Sequence, residues 1–298
     1  MQTIKSYIEK KAEQVHEALD KYTAQMQGLP PLLKEAMRYS LLAGGKRLRP
    51  VLVLSTVEAL GGDESAALPF ACAIEMIHTY SLIHDDLPCM DDDDYRRGKL
   101  TNHKVFGEAY AILAGDALLT EAFGLMAKGG KDALLPPEIL ISIIEEGARF
   151  AGARGMVGGQ VDDLLGENET VSLERLESIH RRKTGDLIAY SVRVGAYLGG
   201  ASKAVIESLT RFAYDLGLAF QIQDDILDVI GDQDVIGKPV GSDEEKHKAT
   251  YPSLLGLEES KRKLIEITNR AKRYLEGYEE LNPESLLGIA DYLLQRDR

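Results

Sequence analysis

Two aspartate clusters constrain this chain more than any other feature. Asp85-Asp86-Leu87-Pro88-Cys89-Met90-Asp91, extended by Asp92, Asp93 and Asp94, and Asp224-Asp225-Ile226-Leu227-Asp228 each follow an apolar helical stretch. Carboxylates late in a helix oppose the macrodipole, whose negative end lies there, and adjacent like charges repel. A fold that keeps both clusters must supply positive charge to both helix ends. Hard divalent cations take oxygen ligands, and Mg2+ takes one or two carboxylates, several waters and the oxygens of a substrate phosphate. Two such half-sites imply a diphosphate clamped between helices.

Helical periodicity recurs along the chain, broken at Gly28 to Pro31, Gly61 to Glu64, Gly129 to Pro137, Gly166 to Ser172, Gly199 to Ser202 and Gly231 to Ser242. These breaks punctuate roughly ten helices. Frequent Leu, Ala, Ile, Glu and Lys favour helix over sheet, and neither a period-2 strand run nor an Asn-Gly hairpin signal stands out. The expectation is an all-α protein. No composition shift or long linker marks a boundary, so residues 1–298 are expected to form a single domain.

A formal net charge of -13 argues against a general nucleic-acid or anionic-membrane binder, because both need basic surface. It repels anionic substrates as well, but that repulsion is screened over roughly 8 Å at physiological salt. Phosphate binding must then be local and metal-assisted. The charged N-terminus lacks the apolar core of a signal peptide, and Glu138 interrupts even LLPPEILISII, so no membrane span is expected. Cys72 and Cys89 form neither a CxxC pair nor a zinc pattern, which suits a reducing, cytoplasmic location.

Around the first cluster, a seven-residue step places His78 two turns before Asp85 on nearly the same face. In the second, Gln221, Asp224 and Asp228 fall at i, i+3 and i+7 and form one stripe. Asp225 sits about 100° off that stripe, which suits metal-bound water or a supporting contact better than direct ligation. Each cluster alone could be a solvated acidic helix end. A structural calcium loop is disfavoured, because the EF-hand alternation with a central Gly is missing. Gly44-Gly45-Lys46-Arg47-Leu48-Arg49-Pro50 puts three cations beside a glycine pair, where backbone and planar guanidinium can approach an anion closely. Its spacing is not that of a Walker A loop. Lys183-Thr184-Gly185 and Gly237-Lys238-Pro239 add weaker basic signals, while Gly115-Asp116 and Gly158-Gly159-Gln160 read as points of close packing.

In order, GGKRLRP at 44–50, EMIHTYSLIHDDLPCMDDDDYRRG at 75–98, GDALLT at 115–120, GGQVDDL at 158–164, KTG at 183–185, FQIQDDILD at 220–228, GKPVGSD and KATYP closely resemble the trans-prenyl diphosphate synthases, and among them the bacterial farnesyl diphosphate synthases. The match extends over nearly the whole chain. Cys89 stands where serine is commoner in the family and Asp93 where asparagine is. The resemblance implies an isoprenoid synthase-type helical bundle with a central active-site cavity, usually in a homodimer. By analogy, Asp85, Asp91 and Asp224 bind several Mg2+ ions on the allylic diphosphate, with Asp86, Asp225 and Asp228 as a second tier. Arg96, Lys183 and Lys238 are its cationic partners. Lys46, Arg49, His78 and Arg97 resemble the pocket for isopentenyl diphosphate. Thr184 and Gln221 would present oxygen dipoles to the allylic cation, completing a catalytic set with Lys183 and Lys238.

The implied reaction joins isopentenyl diphosphate head-to-tail to dimethylallyl and then geranyl diphosphate, and the departing diphosphate takes the proton. Tyr80 lies about 7.5 Å down the helix from Asp85 at the standard rise. In similar enzymes a bulky residue there, with two extra residues in the first motif, accompanies a short product. A fifteen-carbon product follows from that likeness. The rival readings are a geranylgeranyl or longer-chain synthase, a terpene cyclase, which would not need the second basic pocket, and a non-catalytic partner subunit, which would be expected to lose a motif.

Overall fold

The computed structural model describes residues 3–166, 171–230 and 249–295. Helices dominate, and the chain forms two compact units, Met1–Leu54 with Asp63–Ile144 and Ser55–Gly62 with Glu145–Arg298.

In the first unit, α1 (Ile4–Gln25) starts where the Thr3 side chain accepts the Ser6 N–H, and it buries Ile8, Lys11, Val15, Ala18 and Leu19. That is the i, i+3, i+4, i+7 stripe of an amphipathic helix. Lys11 sits on the stripe because Glu64 neutralises its ammonium. After α2 (Pro31–Leu41), α3 (Leu48–Ala59) begins, and α4 (Glu64–Asp85) follows, capped by Asp63. Residues on every side of α4 are buried, from Ala67 and Phe70 through Cys72, Ile74 and Met76 to Ile83. A helix apolar all round belongs at the centre of its unit.

After the short α5 (Asn102–Phe106), α6 (Glu108–Asp132) is the principal neighbour of α4, and small residues let the two backbones approach. A Cβ on Gly115 would stand 2.2 Å from His84 Nε2, and one on Gly129 would stand 2.7 Å from Pro69 Cβ. The break expected at Gly129 to Pro137 narrows to residues 133–136, since α6 runs to Asp132 and the next helix begins at Pro137. Gly129 and Gly130 remain helical because packing requires their missing side chains: a Cβ on Gly130 would fall 2.5 Å from Leu140 Cδ1 of α7 (Pro137–Ala151). Among the described residues, α4 and α6 are long and apolar enough by length and composition to cross a membrane. The interior of the first unit accounts for α4, whose most apolar window is 67% buried, whereas that of α6 is 33% buried.

The second unit contains α8 (Met156–Gly166), α9 (Leu173–His180), a π-helical turn at Arg181–Gly185, α10 (Asp186–Leu198) and the long α11 (Lys203–Ile230). Then come α12 (Tyr251–Leu255), α13 (Leu257–Arg273) and α14 (Glu284–Gln295). Val171, Leu176, Ala219, Ile222, Ile226, Tyr251, Leu264 and Ile267 pack together between α9, α11, α12 and α13. Arg270 clamps α13 to α11 by donating to both carboxylate oxygens of Asp215, at 2.6 and 2.8 Å.

The sequence showed no strand signal, yet Tyr95–Arg96 and Lys99–Leu100 form a two-stranded antiparallel ladder. Its turn residues, Arg97 at φ 54° and Gly98 at φ 74°, are both left-handed. Positive φ at both central positions is the signature of a type I′ hairpin turn, here built with arginine where Asn-Gly was sought. Two-residue strands are too short to show alternation.

Candidate active-site elements

The first aspartate cluster folds back on the end of its own helix. Asp86 caps α4, the Asp92 N–H donates to Leu87 O, and the Asp91 N–H donates to Asp85 O at 2.9 Å. That last bond brings the first and last aspartates of DDLPCMD together, and both remain half-buried. Asp92, at φ 52°, makes the reversal that allows it. Asp86 is buried and accepts from Arg96 Nε and Nη2, both at 2.7 Å. Burial pushes the Asp86 carboxyl above its usual range, with Arg96 opposing the shift. Arg96 also lies 3.7 Å from Asp93, so the hairpin hands this guanidinium to the cluster.

The basic loop divides its duties in a way that composition could not show. Arg47, at φ 49°, turns inward, where Nη1 meets Glu75 Oε1 at 2.5 Å and Nη2 donates to Leu41 O at 2.5 Å. Both members of this ion pair are buried, so Arg47 braces the loop against α4. Arg49 Nη1 lies 3.3 Å from His78 Nε2, and Arg97 Nη1 donates to Gly44 O. The Arg97 guanidinium lies so close over Gly45 that a Cβ there would be 2.4 Å from Cζ. The glycine pair thus admits an arginine of its own chain. Burial, followed by Arg49, Arg97, Arg96 and Arg47, drives the His78 pKa well below its ordinary value. A neutral imidazole can accept from Arg49 Nη1 through Nε2. Arg49, His78 and Arg97 are therefore gathered, with Lys46 exposed on the same loop.

Tyr80 is 6% exposed and meets His84 edge-to-face at 5.7 Å between ring centroids. Burial, then Asp85, pushes its hydroxyl up to about 12.

In the second unit, Lys183, Thr184 and Gly185 occupy the π-helical turn. Such turns widen a helix locally and are frequent where side chains must be redirected to a site. The turn is held on both sides by glycine contacts. A Cβ on Gly159 would lie 2.3 Å from Lys183 N, and one on Gly217 would lie 3.1 Å from Gly185 Cα. Lys183 Nζ donates to Asp163 Oδ2 at 2.6 Å, a partner within GGQVDDL that no spacing argument singles out. Thr184 is buried.

On α11, Gln221 and Asp224 are half-buried, while Asp228 is buried. Asp225 turns elsewhere: its Oδ2 accepts the Tyr251 N–H at 2.8 Å and lies 3.8 Å from His180 Nε2. Tyr251 stacks on His180 and donates its hydroxyl to Glu177 at 2.7 Å. This network ties α9, α11 and α12 together. Lys238 lies outside the described residues.

No group of three His, Cys, Asp or Glu among the described residues converges into a site that could hold a metal by protein ligands alone. The carboxylates still fit Mg2+, a hard ion that binds through one or two of them and completes its shell with water and substrate phosphate.

The polyprenyl synthetase family model matches residues 30–281. The chain is 52% identical over 295 residues to farnesyl diphosphate synthase of Geobacillus stearothermophilus, covering 99% of this chain and 98% of that one. It is 50% identical over 292 residues to farnesyl diphosphate synthase of Bacillus subtilis strain 168, covering 98% of each. The crystal structure of an FPP/GFPP synthase from Zymomonas mobilis superposes with a TM-score of 0.83 at 38% identity, covering 97% of this chain and 99% of that one.

Proposed function

Because the chain belongs to the polyprenyl synthetase family, we propose that it condenses isopentenyl diphosphate head-to-tail with dimethylallyl diphosphate and then with geranyl diphosphate, giving (E,E)-farnesyl diphosphate. The observation that carries this reading is the Asp91-to-Asp85 backbone bond in a unit that also gathers Arg49, His78 and Arg97. A metal-binding carboxylate pair and a metal-free basic wall are the two elements needed to hold two diphosphates differently. A terpene cyclase has no use for the second.

Asp85, Asp91 and Asp224 would hold Mg2+, with Asp86 and Asp228 in support and Asp225 fixed by Tyr251 and His180. Bound there with the allylic diphosphate, the metal supplies Lewis acidity that stabilises charge on the departing oxygens. The allylic C–O bond breaks and its electron pair leaves with the diphosphate. Arg96, Lys183 and Lys238 stabilise that growing charge more than they stabilise the ground state. Asp163 holds the Lys183 ammonium in place, and Thr184 and Gln221 turn oxygen dipoles toward the allylic cation.

The isopentenyl diphosphate sits against Lys46, Arg49, His78 and Arg97. Its alkene forms the new C–C bond, and the adjacent carbon loses a proton to the departing diphosphate. Tyr80 forms the floor that stops the tail. We also assign a cytoplasmic homodimer, in which a partner copy would cover the exposed Tyr110, Ile112 and Leu113 of α6; the net charge of -13 argues against a nucleic-acid partner.

Product analysis with isopentenyl and dimethylallyl diphosphates, in Mg2+ and in EDTA, tests the reading. Metal-dependent farnesyl diphosphate is expected. Longer products would keep the chemistry and favour a geranylgeranyl or longer-chain synthase, a reading supported by the double specificity named for the Zymomonas mobilis relative. No condensation would point to a non-catalytic partner subunit.

A further inference from the structure

The second unit carries an open cleft of about 330 Å3, lined by Arg149, Phe150, Arg154, Arg182, Asp186 and Tyr214. Its guanidiniums come from three segments: α7, the residues before α8 and the π-helical turn. The local carboxylates are already engaged. Glu146, 3.8 Å from Arg149, accepts from Arg193 Nε at 2.7 Å and from the Tyr197 hydroxyl at 3.0 Å. Asp162 is held by Arg182. Asp186, the only carboxylate lining the cleft, accepts the Tyr214 hydroxyl at 2.7 Å. Arg154 forms no ion pair among the described residues.

Two arginines are also fixed by aromatic rings. Arg149 lies over Phe150 at 4.5 Å and Arg181 over Tyr214 at 3.6 Å. Stacking leaves the edge of a guanidinium, where its N–H donors lie, free to meet an anion. In a chain of net charge -13, a cleft with this excess of arginine runs against the overall charge.

We propose that this cleft is an anion site distinct from the two diphosphate sites above, built to bind a phosphate or diphosphate group without metal through Arg149, Arg154 and Arg182, the last keeping donors besides the one that holds Asp162. The planar fork of arginine matches phosphate oxygens in pairs, and convergence of several forks favours a polyanion over chloride. The site needs no metal, because its charge comes from side chains alone. It does not depend on the condensation proposed above.

Isothermal titration of the full-length protein with inorganic diphosphate, in EDTA and at low salt, tests the proposal. Two sites per chain are expected, one in this cleft and one on the basic wall of Arg49 and Arg97. Arg149→Gln with Arg154→Gln, both at exposed positions, should weaken the first at least tenfold and leave the second. Arg49→Gln with Arg97→Gln should do the reverse. Asp186→Asn removes the repelling carboxylate and should tighten the cleft site several-fold, a direction that a merely structural role would not produce. Unchanged binding in the Arg149/Arg154 variant, or weaker cleft binding in Asp186→Asn, overturns the proposal. Retention of the cleft site with loss of the wall site would count against the isopentenyl diphosphate pocket alone.

Discussion

Gly159→Ala tests whether the π-helical turn is positioned by close packing. In an exposed helix, replacing Gly with Ala stabilises by about 0.8–1 kcal/mol, because alanine loses less backbone entropy on folding. At Gly159 the added Cβ would meet Lys183 N at 2.3 Å and both Arg182 C and Lys183 Cα at 2.8 Å, where ordinary contact begins at 3.4 Å. These are backbone atoms, so no rotamer change relieves them. The turn must retreat by about 1 Å, and with only backbone atoms to give way such overpacking falls in the upper part of its usual range, at about 2–3 kcal/mol. The clash outweighs the propensity gain, leaving a net loss of about 1–2 kcal/mol. At about 2–4 °C per kcal/mol, Tm should fall by about 2–8 °C.

The same retreat carries Lys183 and Thr184 with it. A 1 Å misplacement of a catalytic group can cost about 10²-fold in rate, so kcat should fall about 10- to 100-fold, with a smaller change in KM. Gly124→Ala in α6 is the control, since its Cβ would have nothing of this chain within 4 Å. It should raise stability by about 0.5–1 kcal/mol. Thermal unfolding followed by circular dichroism, with steady-state kinetics on both variants, separates the two. If Gly159→Ala were stabilised like Gly124→Ala, or turned over at the parental rate, the packing argument would be refuted.

Three further outcomes follow from the site geometry. Tyr80→Ala should shift products beyond fifteen carbons, as read by chromatography, and an unchanged length would remove Tyr80 as the floor. The depressed His78 pKa means that the unfolded chain binds a proton there before the folded one does. His78 therefore withdraws stability as pH falls below about 6.5, and His78→Asn should flatten that part of a urea-unfolding pH profile. An unaltered slope would show that His78 titrates normally. Arg47→Met leaves Glu75 charged in the interior and should cost about 3–5 kcal/mol, while adding Glu75→Leu should recover most of the loss in the same unfolding assay. No recovery in the double variant would mean that the guanidinium's bond to Leu41 O, not the ion pair, braces the loop.

What the sequence made legible was set by period and charge; what it concealed was set by backbone chirality and long-range partners. Helical spacing places His78 and Asp85 on one helix, and Gln221, Asp224 and Asp228 on another, because an unbroken α-helix converts spacing directly into facing. Gly115 and Gly159 could be marked as contact points, since helix-interior glycine is costly without a reason. The same rule misled at Gly129, where glycine serves packing and the helix continues. The Arg97-Gly98 turn escaped notice because arginine seldom adopts positive φ, and its conformation here is stabilised by the bond to Gly44 O and by the ladder. Arg47 and Arg49 look equivalent as letters two positions apart. Left-handed φ at Arg47 sends the first into Glu75, while the second meets His78. A basic cluster in a sequence therefore gives the sign of a site but not its stoichiometry: of the three cations in GGKRLRP, one is consumed inside the unit, and Arg97, from a distant hairpin, supplies a guanidinium beside the same loop.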